Sequence, residues 1–251
     1  MNSLDTINRN LTALPLRLIL TTQCYGHCNF CHKEGSNGNC MQIMSQDMAL
    51  NAACCAEKLA IPSICLTGGE PTLYPQLPEL ISKIQKKFTG NVCITTNGNN
   101  LKQCLTGFSE IHTINLSLIS FNPEISKNYQ DVDPKSAFDS LLLFPAKNKN
   151  LNIVVTEDNY IEIKNIIDMA IKMSVSVDIM FVLKEYDDKD IKIHNNVINL
   201  FNEYGTPYIK LSSTPEAVID ISSTCHIRMK HPILSRMIKR NVCNLMLYNK
   251  T

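Results

Sequence analysis

Leu16-Arg-Leu-Ile-Leu20-Thr-Thr-Gln-Cys24-Tyr-Gly-His-Cys28-Asn-Phe-Cys31 joins a short apolar run to a loop that carries three thiols in eight residues. The run has the length and composition of a β-strand, so the thiols begin where a strand ends. Three thiols at this density can chelate one centre. Iron–sulfur clusters are held by thiolates, and three protein ligands on a four-iron cube leave one iron open to an external ligand. Three other readings compete. Zinc could use the Cys28/Cys31 pair with His32 or a distant ligand, but a structural zinc site needs four closed ligands and no second CxxC is present. Cys28-Asn-Phe-Cys31-His32 also has the CxxCH spacing of haem attachment, which leaves Cys24 unexplained. Structural cysteines prefer burial to a polar loop.

Outward from this stretch, short β-branched runs at Ser63–Leu66, Asn91–Thr95, Thr113–Leu118, Leu151–Val155 and Ser176–Phe181 read as five further strands. Helical patterns follow them. Ser45 caps one, residues 77–87 carry another, and residues 160–173 and 190–204 two more, with 123–128 and 136–144 supplying the helix after the fourth strand. Six β/α units with near-continuously apolar strands imply a parallel α/β sheet covered by helices, either open and doubly wound or a barrel. Six units are too few for a complete eight-unit barrel. After Leu211 the alternation stops, which divides the chain into a core at residues 1–211 and a C-terminal extension at 212–251 that covers part of the opening. Cys54, Cys55, Cys65, Cys93 and Cys104 fall inside or beside helix and strand patterns and read as small core residues.

Active sites of parallel α/β folds lie at the carboxyl ends of the strands. There the second strand leads into Thr67-Gly68-Gly69-Glu70-Pro71, the third into Thr95-Thr96-Asn97-Gly98, the fourth carries Ser117, and the fifth leads into Thr156-Glu157-Asp158-Asn159. Gly68 and Gly69 let the backbone approach a ligand closely, and Glu70 offers a carboxylate to a cation such as an amino group. Each cluster alone is ordinary turn chemistry. Four at successive strand ends, with a thiol loop at the first, point to a site.

Composition excludes several classes. Lys+Arg 24 against Asp+Glu 23 leaves a net charge of +1, so no global field attracts nucleic acid or an anionic membrane. No apolar run reaches the roughly 18 residues of a membrane-spanning helix, and the first fourteen residues lack the pattern of a secretory signal. Eleven cysteines without such a signal fit a reducing, cytoplasmic setting.

CxxxCxxC after the first strand, GGEP after the second and TTNG after the third resemble the radical S-adenosylmethionine (SAM) superfamily over residues 15–211. The resemblance implies a partial (β/α)6 TIM-like barrel, a [4Fe–4S] cluster on Cys24, Cys28 and Cys31, and SAM on its open iron. By the same resemblance, Phe30 packs near the adenine and Gly68, Gly69 and Glu70 meet the methionine amino group. Asn97 and Ser117 would hold the carboxylate or ribose, and Met180 would make a further adenine contact. Within the superfamily the chain is most similar to the MoaA group, the GTP 3′,8-cyclases. Cys31-His-Lys-Glu-Gly35 and Arg17 carry that likeness, with Arg17 read either as part of a nucleotide site or as a solvated cation. The group's second cluster has a partial echo in Cys225 and Cys243, with Arg228 and Lys230 beside them. Ser222 stands in place of its first thiol and Ser63 in place of a lysine before the GGEP turn, and the glycine-rich tail has no counterpart up to Thr251. These departures argue against the GTP cyclase reaction itself.

The activity so implied is reductive cleavage of SAM to a 5′-deoxyadenosyl radical that abstracts hydrogen from a small molecule. Arg17, Arg228, Lys230, Arg236, Lys239 and Arg240 would suit a nucleotide-like or otherwise phosphorylated substrate. The electron donor would be a flavodoxin or ferredoxin, with no nucleic-acid or membrane partner. The alternatives are a radical SAM peptide-modifying enzyme and a non-catalytic iron–sulfur electron carrier or sensor.

Overall fold

A computed structural model describes residues 15–28, 30–31, 41–182, 187–205, 208–210, 216–222 and 225–230. The chain forms two compact units, one of residues 1–118 and 122–150 and the other of 119–121 and 151–251.

The first unit alternates strand and helix. Its elements are β1 (Leu16–Thr21), α1 (Gln46–Lys58), β2 (Ser63–Gly68), α2 (Leu77–Gln85), β3 (Asn91–Thr96), α3 (Leu101–Cys104), β4 (Ile111–Ser117), α4 (Pro123–Gln130) and α5 (Pro134–Leu143). It also holds the first half of β5 (Ala146–Val155). Helix starts follow local chemistry. Ser45 accepts from the Met48 amide, Asn122 from Glu124 and Asp133 from Lys135, with proline inside the first turn of α4 and α5. β1, β2, β3 and β4 pair in parallel, so that Leu18, Leu66, Ile94 and Ile114 form one row across the sheet, each of them buried.

The neighbouring row in register is Arg17, Cys65, Cys93 and Thr113. Successive side chains of a strand point to opposite faces, so these four occupy the other face. Parallel strands buried on both sides are apolar throughout. The expected continuous apolar run is therefore corrected: one face carries the core and the other is polar. On that polar face Arg17 donates to Thr67, Asn115 lies 3.4 Å from Thr95 Oγ1, and Asn150 donates to Asn115 at 3.2 Å. Cys55 also departs from expectation, being exposed on α1, whereas Cys65 is buried as expected.

Ile94 is fully buried at the centre of the apolar row. Ile94→Ala leaves a cavity that this paired sheet cannot collapse, and we expect a loss of about 2–5 kcal/mol in denaturant unfolding.

The second unit contains the rest of β5, α6 (Ile163–Lys172), β6 (Ser176–Phe181), α7 (Asp188–Glu203), β7 (Tyr208–Lys210), β8 (Glu216–Ser222) and β9 (Cys225–Lys230). Asp187 and Asp190 form a reciprocal capping box at the start of α7. β9 runs parallel to β6, and β8 and β7 follow in antiparallel pairing. The alternation thus gives way after Leu211 to more sheet. Residues 216–222 and 225–230, read from sequence as part of a separate extension, hydrogen-bond in this unit, and Ile219, Ile227 and Met229 are buried. The period-two pattern of Cys225-His-Ile-Arg-Met-Lys230 was the available signal.

Candidate functional site

The thiol loop leaves β1 and is fastened at both ends. Thr22 donates to the Gln42 carbonyl and its hydroxyl accepts from the Gln42 amide, which ties the loop to the segment before α1. At the far side the loop rests on the last turn of α4. The Tyr129 carbonyl accepts from the His27 amide at 3.1 Å and from the Cys28 thiol at 3.2 Å, and the Phe30 and Tyr129 rings stack with centroids 5.9 Å apart. No sequence signal marked Tyr129 for this role.

Cys24 and Cys31 are exposed and Cys28 is half-buried. The Cys28 thiol is pushed up to about 11, by partial burial first and then by Cys31 and Cys24. The three sulfurs share one short loop, and the effect of Cys31 and Cys24 on Cys28 means that thiolate charge accumulates there only if a cation joins them. Among the described residues, no three His, Cys, Asp or Glu side chains converge so as to hold a single metal ion. A four-iron cube takes each thiolate on a different iron, so its ligands need not converge. The residues fit such a cluster, and its binding would release the Cys28 proton along with the thiol's hold on Tyr129.

The turn after β2 lies against this loop backbone to backbone. Gly69 donates to the Thr21 carbonyl and Glu70 to the Gln23 carbonyl, both at 2.7 Å. A Cβ on Gly68, whose φ is +141°, would sit 2.3 Å from the Thr21 oxygen, and one on Gly69 would sit 2.2 Å from the Gln23 oxygen. The close approach that requires both glycines is therefore to the thiol loop.

Glu70 is 2% exposed, and both its oxygens are engaged. Oε1 accepts from the Thr72 amide, the Thr72 hydroxyl at 2.7 Å and the Thr96 hydroxyl at 2.6 Å, while Oε2 accepts from the Asn97 amide at 2.7 Å. Burial pushes the carboxyl above its usual range, and the four donors pull the other way by favouring the ionised form. A carboxylate offers about four acceptor positions, and here three donors meet Oε1 and one meets Oε2. Glu70 braces the turn after β3 against the turn after β2. Thr72 and Thr96, which the sequence reading did not assign, complete that brace. Glu70→Gln keeps the shape but turns one acceptor into a donor facing amide hydrogens. We expect a cost of about 2 kcal/mol and a lower midpoint in thermal unfolding.

Asn97 is buried, and its Nδ2 lies 3.8 Å from Cys24 Sγ. Ser117, at the end of β4, is half-buried, and its carbonyl accepts from Gln130 at 2.9 Å. The structure thus brings Cys24, Gly69, Glu70 and Asn97 together in the first unit, with Phe30 and Ser117 both tied to the end of α4.

The cluster after β5 belongs to the second unit. Asn159 is fully buried and staples its loop, donating to the Ile119 and Val154 carbonyls and accepting from the Thr156 amide. Glu157 pairs with Lys189 at the surface. Met180 is half-buried on β6. Arg228 faces Asp178, its partner in register on β6, and the two form an ion pair. Lys230 is the last residue of β9. Cys225 is buried, with its thiol donating to the Val175 carbonyl at 3.3 Å. Cys243, Arg236, Lys239 and Arg240 lie outside the described residues.

Residues 18–196 match the family described as the Radical SAM superfamily. The chain is 34% identical over 161 residues to a protein of Sulfolobus acidocaldarius named "Probable GTP 3',8-cyclase", covering 62% of this chain and 50% of that one. A protein of the same name from Metallosphaera sedula is 31% identical over 169 residues, covering 64% and 52%. The chain therefore spans about half the length of the curated relatives it matches. Among solved structures, Streptococcus suis SuiB bound to S-adenosylmethionine superposes with a TM-score of 0.62 at 17% identity, covering 79% of this chain and 50% of that one. That likeness bears out the fold class expected from the sequence, a mixed α/β fold with parallel strands arranged as a partial barrel. No helix among the described residues is long and apolar enough to cross a membrane.

Proposed function

The chain belongs to the radical SAM superfamily, which uses a [4Fe–4S] cluster and SAM, and from that membership we propose that it is an enzyme acting on a small, polar, nucleotide-like substrate. Cys24, Cys28 and Cys31 would hold the cluster. Phe30, Gly68, Gly69, Glu70, Asn97 and Ser117 would form the cradle for SAM, Glu70 by bracing the turn that carries Asn97. When bound, these cofactors supply one-electron cleavage of a sulfonium and hence abstraction of a hydrogen atom from the substrate.

The observation that carries this reading is the joining of three sequence-distant turns at one end of the first unit's sheet. The thiol loop takes the Gly69 and Glu70 amides on its carbonyls, and the turn after β3 is locked to Glu70 through Asn97. A loop held this firmly keeps its ligands in place without reorganisation when the reaction begins. An electron carrier needs thiols alone and has no use for the adjoining turns.

The substrate class rests on two supports. The relatives that share about a third of the aligned residues carry a nucleotide cyclase name. The face of the sheet opposite the core is polar, with Arg17, Thr67, Thr95, Asn115 and Asn150 as donors and acceptors, which suits a ligand rich in hydrogen-bonding groups. Arg17 would meet its anionic part. A small reducing protein such as a flavodoxin or ferredoxin would deliver the electron.

The test is anaerobic reconstitution with iron and sulfide, followed by reductant and SAM, with 5′-deoxyadenosine measured by chromatography. Release of this product is expected, and it rises when the correct substrate is added. Nucleoside triphosphates and short peptides form two arms, and stimulation by peptides alone would overturn the substrate class. A reconstituted cluster that leaves SAM intact would overturn the enzyme reading.

A further inference from the structure

The amide of Asn97 is held in one orientation by three contacts. Its backbone N–H donates to Glu70 Oε2 at 2.7 Å, its Oδ1 accepts from the Asn99 amide at 2.9 Å, and its Nδ2 is thereby turned toward Cys24 Sγ at 3.8 Å. The Asn99 amide is a donor only, so it selects Oδ1 as its partner and leaves the NH2 group for the sulfur. Cys24 receives one other hydrogen bond from within its loop, from the Gly26 amide at 3.3 Å. Burial of Asn97 and of the Glu70 carboxylate keeps water from competing for the bond between them, so the backbone that carries the amide is fixed.

We propose that Asn97 is a positioning residue that sets the reduction potential of the cluster by donating a hydrogen bond to the Cys24 sulfur. The inference rests on the reading of Cys24 as a cluster ligand and goes beyond it. The signal for it lies in tertiary structure alone, because Asn97 and Cys24 are 73 residues apart. Reduction adds negative charge to a cluster and its ligand sulfurs, so a donor aimed at one of those sulfurs favours the reduced form and raises the potential. Glu70 acts through Asn97, by fixing the backbone from which the amide projects. The GGEP carboxylate and the thiol loop are thus linked by a chain of two hydrogen bonds, Glu70 to Asn97 and Asn97 to Cys24.

The experiment is an EPR-monitored redox titration of reconstituted wild-type protein and of Asn97→Ala, both without SAM, so that a role in SAM binding leaves the reading unchanged. Iron and sulfide are counted on the same samples. Loss of a charge-assisted donor should make reduction about tenfold less favourable, a fall of about 59 mV for a one-electron couple. Iron content should stay at about four per chain. A variant with a full cluster and an unchanged potential overturns the inference while leaving the cluster reading intact. A wild type that takes up no iron overturns both. Should Asn97→Ala fail to assemble a cluster, the wild type decides through hyperfine spectra of its reduced cluster after labelling with 15N-asparagine. A nitrogen coupling supports the hydrogen bond, and its absence overturns it.

Discussion

Cys28→Ala should reduce iron in the reconstituted protein from about four atoms per chain to less than one. Production of 5′-deoxyadenosine should fall below detection. Cys28 lies at the middle of the thiol loop, where Cys31 and Cys24 both act on its sulfur, so removing it leaves a two-thiol remnant. Two thiolates cannot hold three corners of a cube. The loop itself should survive, because the His27 amide still donates to the Tyr129 carbonyl and the Gly69 and Glu70 amides still bind the Thr21 and Gln23 carbonyls. Near-wild-type thermal unfolding of the apo-protein separates loss of metal from loss of fold. Cys54→Ala, a half-buried thiol on α1, is the control and should keep its iron. Full iron in Cys28→Ala would remove the cluster assignment, and with it everything proposed for Asn97.

Gly69→Ala should be the most damaging single methyl group in the site. The added carbon would stand 2.2 Å from the Gln23 oxygen, 2.6 Å from its carbonyl carbon and 2.7 Å from the Thr22 oxygen, all of them backbone atoms. No side-chain rotation relieves that contact, so the two turns must part. Parting them breaks the 2.7 Å bonds from Gly69 and Glu70 and leaves the buried Glu70 amide unpaired. We expect a loss of about 3–5 kcal/mol, at the upper end for point mutations, and a fall in iron occupancy as the loop loses its support. Denaturant unfolding and iron analysis measure the two effects on one sample. Wild-type stability in Gly69→Ala would show that the turns do not need to touch.

The strand at Ser176–Phe181 and the Ser45 cap are found where the residues place them, because β-branched runs and side-chain caps act over a few residues. The helix expected over 160–173 begins instead with a 3-10 turn at Tyr160–Glu162, and β8 and β9 were missed. β9 pairs with β6 across about 50 residues and β8 then pairs with β9, and a short alternating pattern does not announce its partner. Arg228 shows the same limit. Its sequence context groups it with other cations, whereas in the fold it neutralises Asp178.

The residues alone determined the chemistry on offer: three thiols within one loop are close whatever the rest of the chain does, and the alternation of strand and helix is written in local periodicity. Tertiary structure decided what the other site residues do. It turned Gly68 and Gly69 toward the thiol loop, filled the Glu70 carboxylate with four donors and aimed Asn97 at Cys24. The physical reason is that a thiol's affinity for iron belongs to the side chain itself, whereas a hydrogen bond belongs to a pair. The partners here are separated by up to 73 residues and meet only when the strands align.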